Sequence, residues 1–372
     1  MTAKYDLPTI GGMFATSDHD RFLTVNDRSQ FDMLFPLKVG GKTRNLYETG
    51  IDALAAILRD QGAPGAPIRL WTPENFCQES LQRLNLKLDQ RLQFVSYRST
   101  SDLWEIQKKE VLLWLHFNRF DLAAKSTIEA LKERVGVIVI EDFVQAPLDI
   151  SRFSGDFALN SLRKFSSLDV SVAYQDGVAR TESEIQHAKE TRYRVLKKEA
   201  EHIKSAFLQC PSEELERQFL SHCREADQAL FVREIAHCHP REEERAAHFD
   251  FRAVRERRTA NYRWLAAQFD QHLDEMTILP GDLMYLMVTT ADRDRYRADL
   301  MAQRVFPVIH WSDSGSLLAK SLLSFHVDQR YTVDDFQRMI SVLKATQDDL
   351  RRLRQVRKGS PAAGDYEAGP GL

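Results

Sequence analysis

The sequence predicts an α/β protein with a large domain, built on a mostly parallel sheet covered by helices, and a smaller C-terminal α/β domain. Short apolar runs alternate with helical patterns through the first half of the chain, and each run is continuously apolar, as strands buried on both faces are. Strand patterns resume near the C-terminus, after three long charged helical patterns. With 372 residues, the chain is long enough for two domains.

The first part of the chain supplies the predicted large domain. Residues 1–45 show sparse periodicity and are expected to form an irregular N-terminal arm, with the large domain over 46–180. Apolar residues at helical spacing predict a helix within 45–62, which Gly62 ends. The remaining patterns predict strands at 66–73, 92–97, 110–117 and 135–142, helices at 77–86 and 124–136, and a strand–loop–strand over 156–177.

The second part changes character at residue 181. We expect a helical segment over 181–275 and the small domain over 276–356, with a disordered Gly- and Pro-rich tail at 357–372. Thr332 is the expected N-cap of the closing helix, with Asp335 three residues on. The helical patterns in this part cover 182–207, 212–237, 249–273 and 332–356, and the strand patterns cover 282–290 and 304–311.

Composition and charge argue against several classes of function. The net charge of −3 gives no sign of a nucleic-acid or anionic-membrane partner, and no stretch approaches the roughly 18 apolar residues of a membrane span. The first residues lack the pattern of a signal peptide, and four scattered cysteines without a CxxC pair favour a reducing cytoplasm. The histidines and cysteines between 222 and 248 lack the paired spacing of a zinc site, so helical surface residues are the preferred interpretation.

Lys164 and Asp142 are the candidate chemical groups. Lys164 lies in a short loop beside Arg163, and a nearby cation or a desolvated pocket lowers a lysine pKa until the amine can form a Schiff base. Asp142 ends an apolar strand, where ligands of parallel sheets collect. An acid there suits pyridoxal 5'-phosphate (PLP), whose ring nitrogen needs an anion to stay protonated. The bland alternative, a solvated lysine and an ordinary strand-end acid, stays open on these two residues alone.

The segments around both residues resemble the DegT/StrS-type sugar aminotransferases, which are fold-type-I PLP-dependent transferases. "VIVIEDFVQAP" resembles the family's V-I-E-D-x-A-Q/H segment, and "DFALNSLRKF" resembles the D-x-x-x-x-S-L-R-K around its Schiff-base lysine. Single motifs are weak, but their order matches over most of residues 10–345. The other similar segments are "IGGMF", "YETGIDAL", "WTPENFCQES", "WLHFNRF", "FPVIHW" and "LLSFHVDQRYTVDDF".

The resemblance implies catalytic roles for the lysine and the acid. Lys164 would hold PLP as a Schiff base and then act as general acid and base in the proton shift. Asp142 would pair with the pyridinium nitrogen, and Gln145 would lie near the phenolic oxygen. The resemblance also implies a homodimer, with small-molecule amino donor and keto acceptor as substrates.

A second group of residues is expected to hold the phosphate and the ring. Ser161 would hydrogen-bond the phosphate, and Phe76 or Cys77 would lie over the ring, as the resemblance implies. Gly50 and Ile51 begin a helix whose free N–H groups suit a phosphate independently of any family.

Departures from the family pattern leave the reaction open. The family often has Thr or Ser at the position of Ile51, and usually has Asp-Gly-Gly after the lysine, where this chain keeps Asp169 without the glycines. The first hypothesis is an aminotransferase that uses a donor such as glutamate and a keto acceptor, either a nucleotide-linked keto sugar or a secondary-metabolite intermediate. The alternatives are dehydration or carbon–carbon bond chemistry on the same scaffold, and a non-catalytic homologue.

Overall fold

The structure is a computed structural model that describes residues 29–359 except 62, 64, 118–119, 122–124, 178–189, 282 and 311–316. Within those residues, no helix is both long enough and apolar enough to cross a membrane.

The large sheet has the parallel core that the apolar runs predict. In the described part of the chain its order is β1-β2-β9-β8-β7-β5-β3-β4, with β6 paired to β5. Strands β8, β7, β5, β3 and β4 run parallel, and β9 is antiparallel to β8. The strands are Lys38–Val39 (β1), Lys42–Tyr47 (β2), Ile68–Pro73 (β3), Leu92–Tyr97 (β4), Val111–Phe117 (β5), Phe120–Asp121 (β6), Ile138–Asp142 (β7), Phe157–Leu159 (β8) and Ser171–Gln175 (β9).

Helices cover this sheet and build the C-terminal part. A small antiparallel sheet of Thr277–Ile278 (β10), Tyr285–Thr289 (β11) and Leu322–His326 (β12) packs against the last long helix around its own apolar core. The helices are Ser29–Leu34 (α1), Gly50–Arg59 (α2), Gln78–Lys87 (α3), Lys125–Val135 (α4), Arg192–Gln209 (α5), Glu213–Ala229 (α6), Pro240–Ala247 (α7), Phe251–His272 (α8), Arg293–Ala302 (α9), Leu317–Ser321 (α10) and Val333–Gly359 (α11).

Residues 29–45 correct the expectation of an irregular arm. They form α1, β1 and the start of β2, because Phe31 and Phe35 are fully buried and pack their rings against Phe251. Leu46, which falls within the helix predicted at 45–62, lies in β2, and α2 begins only at Gly50. Residues 1–28 lie outside the described residues, and the domain boundaries stay predictions.

Three further expectations change at element ends. The pattern at 304–311 forms no strand over its described residues and makes isolated bridges, among them one between Val308 and Ser324, because Pro307 cannot donate to a ladder. The helix predicted over 212–237 ends at Ala229. The closing helix includes residues 357–359 of the expected tail; the rest of the tail lies outside the described residues.

The capping prediction for α11 is confirmed. The backbone N–H and the hydroxyl of Thr332 both donate to the Asp335 carboxylate, at 2.9 and 3.0 Å. This acid three residues after the cap supplies the reciprocal half of a capping box.

Candidate active site

One cavity of about 740 Å³ opens at the carboxyl ends of the central parallel strands. Ligands collect at this edge of parallel sheets, because the loops that follow neighbouring strands converge there. Every residue that the sequence nominated for the site lines this one cavity. These residues are Gly50, Ile51, Phe76, Cys77, Asp142, Gln145, Ser161 and Lys164.

Lys164 is held at the cavity by a short 3-10 helix, Leu162–Lys164, that follows β8. Leu162 and Phe165 on either side are fully buried, so the backbone is anchored while the amine points into open space. Desolvation by the cavity walls and the charge of Arg163 lower the pKa of Lys164, and solvent within the cavity moderates the first effect. No hydrogen bond or ion pair joins the amine to another described residue. Lys164 therefore has the setting of a nucleophilic lysine.

Asp142 is a buried acid that faces the same cavity. It ends β7, is 3% exposed, and accepts a hydrogen bond from the Val144 N–H at 2.8 Å. Burial raises the pKa of Asp142 to about 6, which the Val144 hydrogen bond and the nearby His116 oppose. Among the described residues, no lysine or arginine forms an ion pair with it. A cationic N–H group of a ligand would supply the partner that this carboxyl lacks.

Glu141, beside Asp142, has a structural role that sequence reasoning missed. Side chains alternate between the two faces of a strand, so Asp142 meets the cavity and Glu141 points away from it. Glu141 Oε2 lies 2.7 Å from His116 Nε2, and its Oε1 accepts from the Ser154 N–H at 2.6 Å. The His116 ring stacks on Phe143 with 4.1 Å between ring centroids. The same alternation, read from "IVIED", predicts that the side chains of Glu141 and Asp142 lie on opposite faces of the sheet.

The N-terminus of α2 forms one end of the cavity. Thr49 caps this helix, and its hydroxyl oxygen accepts from the Asp52 N–H at 3.2 Å. Gly50 lets the helix start approach the segments that follow β7 and β8 closely: a Cβ at this position would lie 3.3 Å from Val144 Cγ2 and 3.5 Å from Ser161 Cβ. The buried Ser161 Oγ has no hydrogen-bond partner among the described residues. Helix N–H groups and an unsatisfied hydroxyl together suit a phosphate.

A buried ion pair neutralises the acid at this end of the cavity. Asp52 lies in the first turn of α2, and its carboxylate pairs with Lys87 Nζ at 2.9 Å, with both side chains almost fully buried. The same carboxylate accepts the Ala236 N–H at 3.0 Å. An acid that would otherwise repel a phosphate is thereby neutralised.

Replacing Lys87 with methionine is expected to lower the free energy of unfolding by about 3–5 kcal/mol, because it leaves the buried Asp52 charge without its cationic partner. Urea denaturation at pH 7 measures this change. Lys125→Met, at a side chain that is 62% exposed on α4, is the matched control and should change the free energy of unfolding by less than about 0.5 kcal/mol. Equal stabilities of Lys87→Met and wild type would contradict this account of the ion pair.

Polar and aromatic groups complete the cavity wall. Gln145 Oε1 and Asn75 Oδ1 are buried atoms without a hydrogen-bond partner in the described part of the chain, and sequence reasoning missed Asn75. Phe76 is half-buried, and Cys77 is an exposed thiol at the N-cap of α3. These residues sit where they can hydrogen-bond and cover a flat ligand.

Comparison with solved structures identifies the fold. No protein-family model matches the sequence, and no curated protein is similar to it. A DegT DnrJ EryC1 StrS aminotransferase from Brucella abortus matches with a TM-score of 0.53 at 14% identity, over 88% of this chain and 91% of its own. The aminotransferase TlmJ from Streptoalloteichus hindustanus matches with a TM-score of 0.58 at 13% identity, over 92% of this chain and 100% of its own.

A further match is Spr1654 from Streptococcus pneumoniae, in its PLP form. It has a TM-score of 0.56 at 9% identity and covers 93% of this chain and 99% of its own. The expected fold, a large mostly parallel sheet with helices and a smaller C-terminal α/β part, is therefore confirmed, and it is the fold of these aminotransferases.

Proposed function

We propose that this chain is a PLP-dependent aminotransferase related to the DegT/StrS family. It moves an amino group from an amino-acid donor such as glutamate to a keto acceptor, with a nucleotide-linked keto sugar or a secondary-metabolite intermediate as the candidate acceptors. One observation carries the proposal: a single cavity brings together a lysine with a lowered pKa, a buried acid without a cationic partner and a helix N-terminus beside an unsatisfied hydroxyl.

These three features match three different parts of PLP. The Lys164 amine suits the aldehyde, the Asp142 carboxyl suits the ring N–H, and the start of α2 with Ser161 suits the phosphate. The unpartnered Ser161 Oγ fits this assignment, because buried polar atoms normally have partners. Spr1654, which shares the fold, has been solved in PLP and PMP forms, and this supports the choice of cofactor.

The chain's own residues would bind the cofactor, orient it and move a proton. PLP, when bound, supplies an electron sink for the substrate carbon. Asp142 keeps the ring nitrogen protonated, and Phe76 or Cys77 holds the ring in place. Lys164, as a free amine of lowered pKa, accepts a proton and returns it. Gln145 offers a hydrogen bond to the phenolic oxygen.

Amino-group transfer is the reaction to test. Protein reconstituted with PLP is incubated with single amino acids, and mass spectrometry follows the conversion of bound PLP into PMP. Conversion by at least one amino acid, reversed by a keto acid, is the expected result. Consumption of substrate without any PMP would instead favour dehydration or carbon–carbon bond chemistry, and PLP-binding without turnover of any substrate would favour a non-catalytic homologue.

Assembly and compartment belong to the same proposal. We expect a homodimer, because the resemblance to fold-type-I enzymes implies one, and a cytoplasmic location, which the four free cysteines support. Exposed apolar side chains such as Met33 and Leu37 are candidates for the dimer contact. Light scattering on the purified protein measures the mass; a monomer would contradict the homodimer.

Replacing Ser161 with alanine is expected to weaken PLP binding by about 5- to 20-fold and to leave the ligand-free protein as stable as wild type or slightly more so. The hydroxyl is buried without a described partner, so its loss removes a desolvation cost and leaves no donor unpaired. Fluorescence titration with PLP and thermal unfolding measure the two effects.

Ser171→Ala is the matched control for this experiment. Ser171 also has a buried Oγ without a described partner, but it lies at the start of β9 and does not line the cavity. The control should bind PLP like wild type. Equal losses of affinity in both variants would argue against a phosphate site at Ser161.

A further inference from the structure

A second cavity of about 440 Å³ lies next to the first and shares Lys164 with it. Arg163, Tyr285 and Val308 also line both cavities, so the two spaces meet at the proposed reacting amine. A ligand in the second cavity would therefore lie beside any group attached to Lys164. The assignment of this cavity rests on the proposed function.

The outer wall of the second cavity is the helical hairpin formed by α5 and α6. Buried contacts tie α5 of this hairpin to the segment that precedes β9 and to α7. Lys197 forms an ion pair with Asp169, the Tyr193 hydroxyl donates to the same carboxylate at 3.2 Å, and Arg194 pairs with Glu242 at 3.2 Å. Such buried pairs are costly to break, so the wall has a defined position.

The cations that line the cavity are matched by carboxylates. Four permanent cations and three carboxylates line it, and the buried Asp169, which pairs with Lys197, supplies a fourth carboxylate directly behind the wall. Desolvation lowers the pKa of His326 to about 4, so this side chain is neutral at pH 7. Burial raises the pKa of Glu201, and its protonation would shift the balance towards positive charge. The cations are Arg163, Lys197, Arg258 and Arg330, and the carboxylates are Glu201, Asp227 and Asp328.

Most of these cations are already engaged. Arg330 donates two hydrogen bonds, of 2.9 and 2.8 Å, to the Asp328 carboxylate. Lys197 forms ion pairs with Asp169 and Glu201. The buried Arg258 is held by neutral acceptors. Its Nε donates to Gln329, and its two other nitrogens donate to the carbonyl groups of Leu283 and Phe165, each at 2.8 Å.

Arg163 differs from the other three cations because only one of its nitrogens has a hydrogen-bond partner among the described residues. Its Nη1 donates to the Tyr193 hydroxyl at 3.0 Å, and it forms no ion pair with a described carboxylate. The Tyr193 oxygen, with Asp169 and Asp227 beyond ion-pair distance, raises the pKa of the Arg163 guanidinium and keeps it charged. The remaining N–H groups form a planar fork next to Lys164, and such a fork matches a carboxylate in geometry.

We propose that the second cavity is a substrate subsite, in which Arg163 binds a carboxylate of the amino-acid donor and so sets specificity for it. One guanidinium with open N–H groups fits a single carboxylate better than a diphosphate. The α-carboxylate and a distal side-chain carboxylate share this chemistry, and the experiment below separates them.

Calorimetric titration with glutarate, and with its uncharged analogue glutaramide, tests the subsite without turnover. Wild type is expected to bind glutarate and not glutaramide. Arg163→Gln should weaken glutarate binding by about 10- to 100-fold, because a charge-assisted fork is lost. Arg163→Lys, which keeps the charge but not the fork, should lie between the two. The proposal would be overturned if wild type did not bind glutarate, or if Arg163→Gln bound it with the wild-type affinity.

Arg217→Gln is the matched control. Arg217 lies on the outer face of α6, its side chain is 70% exposed, and it does not line either cavity. The same loss of charge at this position should leave glutarate binding unchanged. An equal loss in both variants would mean that overall charge, and not the subsite, controls binding.

Single-turnover reactions with L-glutamate and L-alanine identify the carboxylate. If Arg163→Gln slows both donors, Arg163 holds the α-carboxylate; if it slows glutamate alone, Arg163 holds the distal one. Either result supports the subsite, and unchanged rates for both would overturn it. A chain that never forms a Schiff base with PLP would refute the aminotransferase, but the glutarate titration would still decide on the subsite.

Discussion

Replacing Lys164 with alanine is expected to lower amino-group transfer by at least about 1,000-fold while PLP still binds. The cavity offers no second described lysine that could replace its amine, so both the covalent link to PLP and the proton transfer are lost. The phosphate end, formed by Gly50 and Ser161, is untouched, and binding should weaken far less than turnover. Stopped-flow absorbance with an amino donor measures the rate.

The control for this experiment is Lys125→Ala, at the exposed lysine of α4 used above. It should transfer amino groups at the wild-type rate. A Lys164→Ala variant that keeps even a tenth of the wild-type rate would contradict the assignment of the catalytic lysine. Methylamine added to the variant should restore part of the rate if the missing group acts as an amine.

Replacing Asp142 with asparagine is expected to lower turnover by about 100-fold or more and, at the same time, to stabilise the ligand-free protein at neutral pH. The loss of turnover follows from the loss of the anion that faces the ring nitrogen. The gain in stability follows from burial, which raises the pKa of Asp142 from 3.8 to about 6 in the folded protein. Asparagine keeps the acceptor for the Val144 N–H without the buried charge.

The sign of the pH dependence follows from this raised pKa. Between about pH 4 and pH 6 the folded protein binds more protons at Asp142 than the unfolded chain does, so this group makes the ligand-free protein less stable as the pH rises. Above pH 6 the penalty is complete. The melting temperature of Asp142→Asn should therefore exceed that of wild type at pH 8, and the difference should vanish near pH 4.

Thermal unfolding of both proteins over pH 4–8, with and without PLP, measures this effect. PLP should reverse the order at pH 8, because its cationic ring nitrogen stabilises the Asp142 carboxylate of wild type and not the asparagine. A lower melting temperature of the ligand-free variant at pH 8 would mean that Asp142 has another cationic partner, and it would contradict this part of the account.

The large sheet was predictable because local signals and burial agree there. The runs "VLLWL" and "IVI" are apolar on both faces, and this pattern is typical of strands that are covered on both sides. The site followed from the topology, since parallel strands place Asp142 and the loop after β8 at one edge. The position of Lys164 at the cavity could thus be predicted from the sequence alone.

Other features depend on contacts between distant residues, which a local pattern does not encode. Asp169 pairs with Lys197 of α5, so the segment after Lys164 is held against that helix. Nothing near Arg163 in the sequence distinguishes it from the paired arginines, because its open N–H groups depend on how far the folded chain places Asp169 and Asp227 from it. Phe31 and Phe35 entered the core for a similar reason: their partner, Phe251, lies far along the chain.

The most direct test of the central claim is an absorption spectrum of the purified protein with PLP, before and after borohydride, followed by peptide mapping. We expect a near-ultraviolet to violet band that borohydride removes, and a pyridoxyl label on the peptide that contains Lys164. A spectrum that PLP leaves unchanged, or a label on any other lysine, would contradict the claim that this cavity is the active site of a PLP-dependent enzyme.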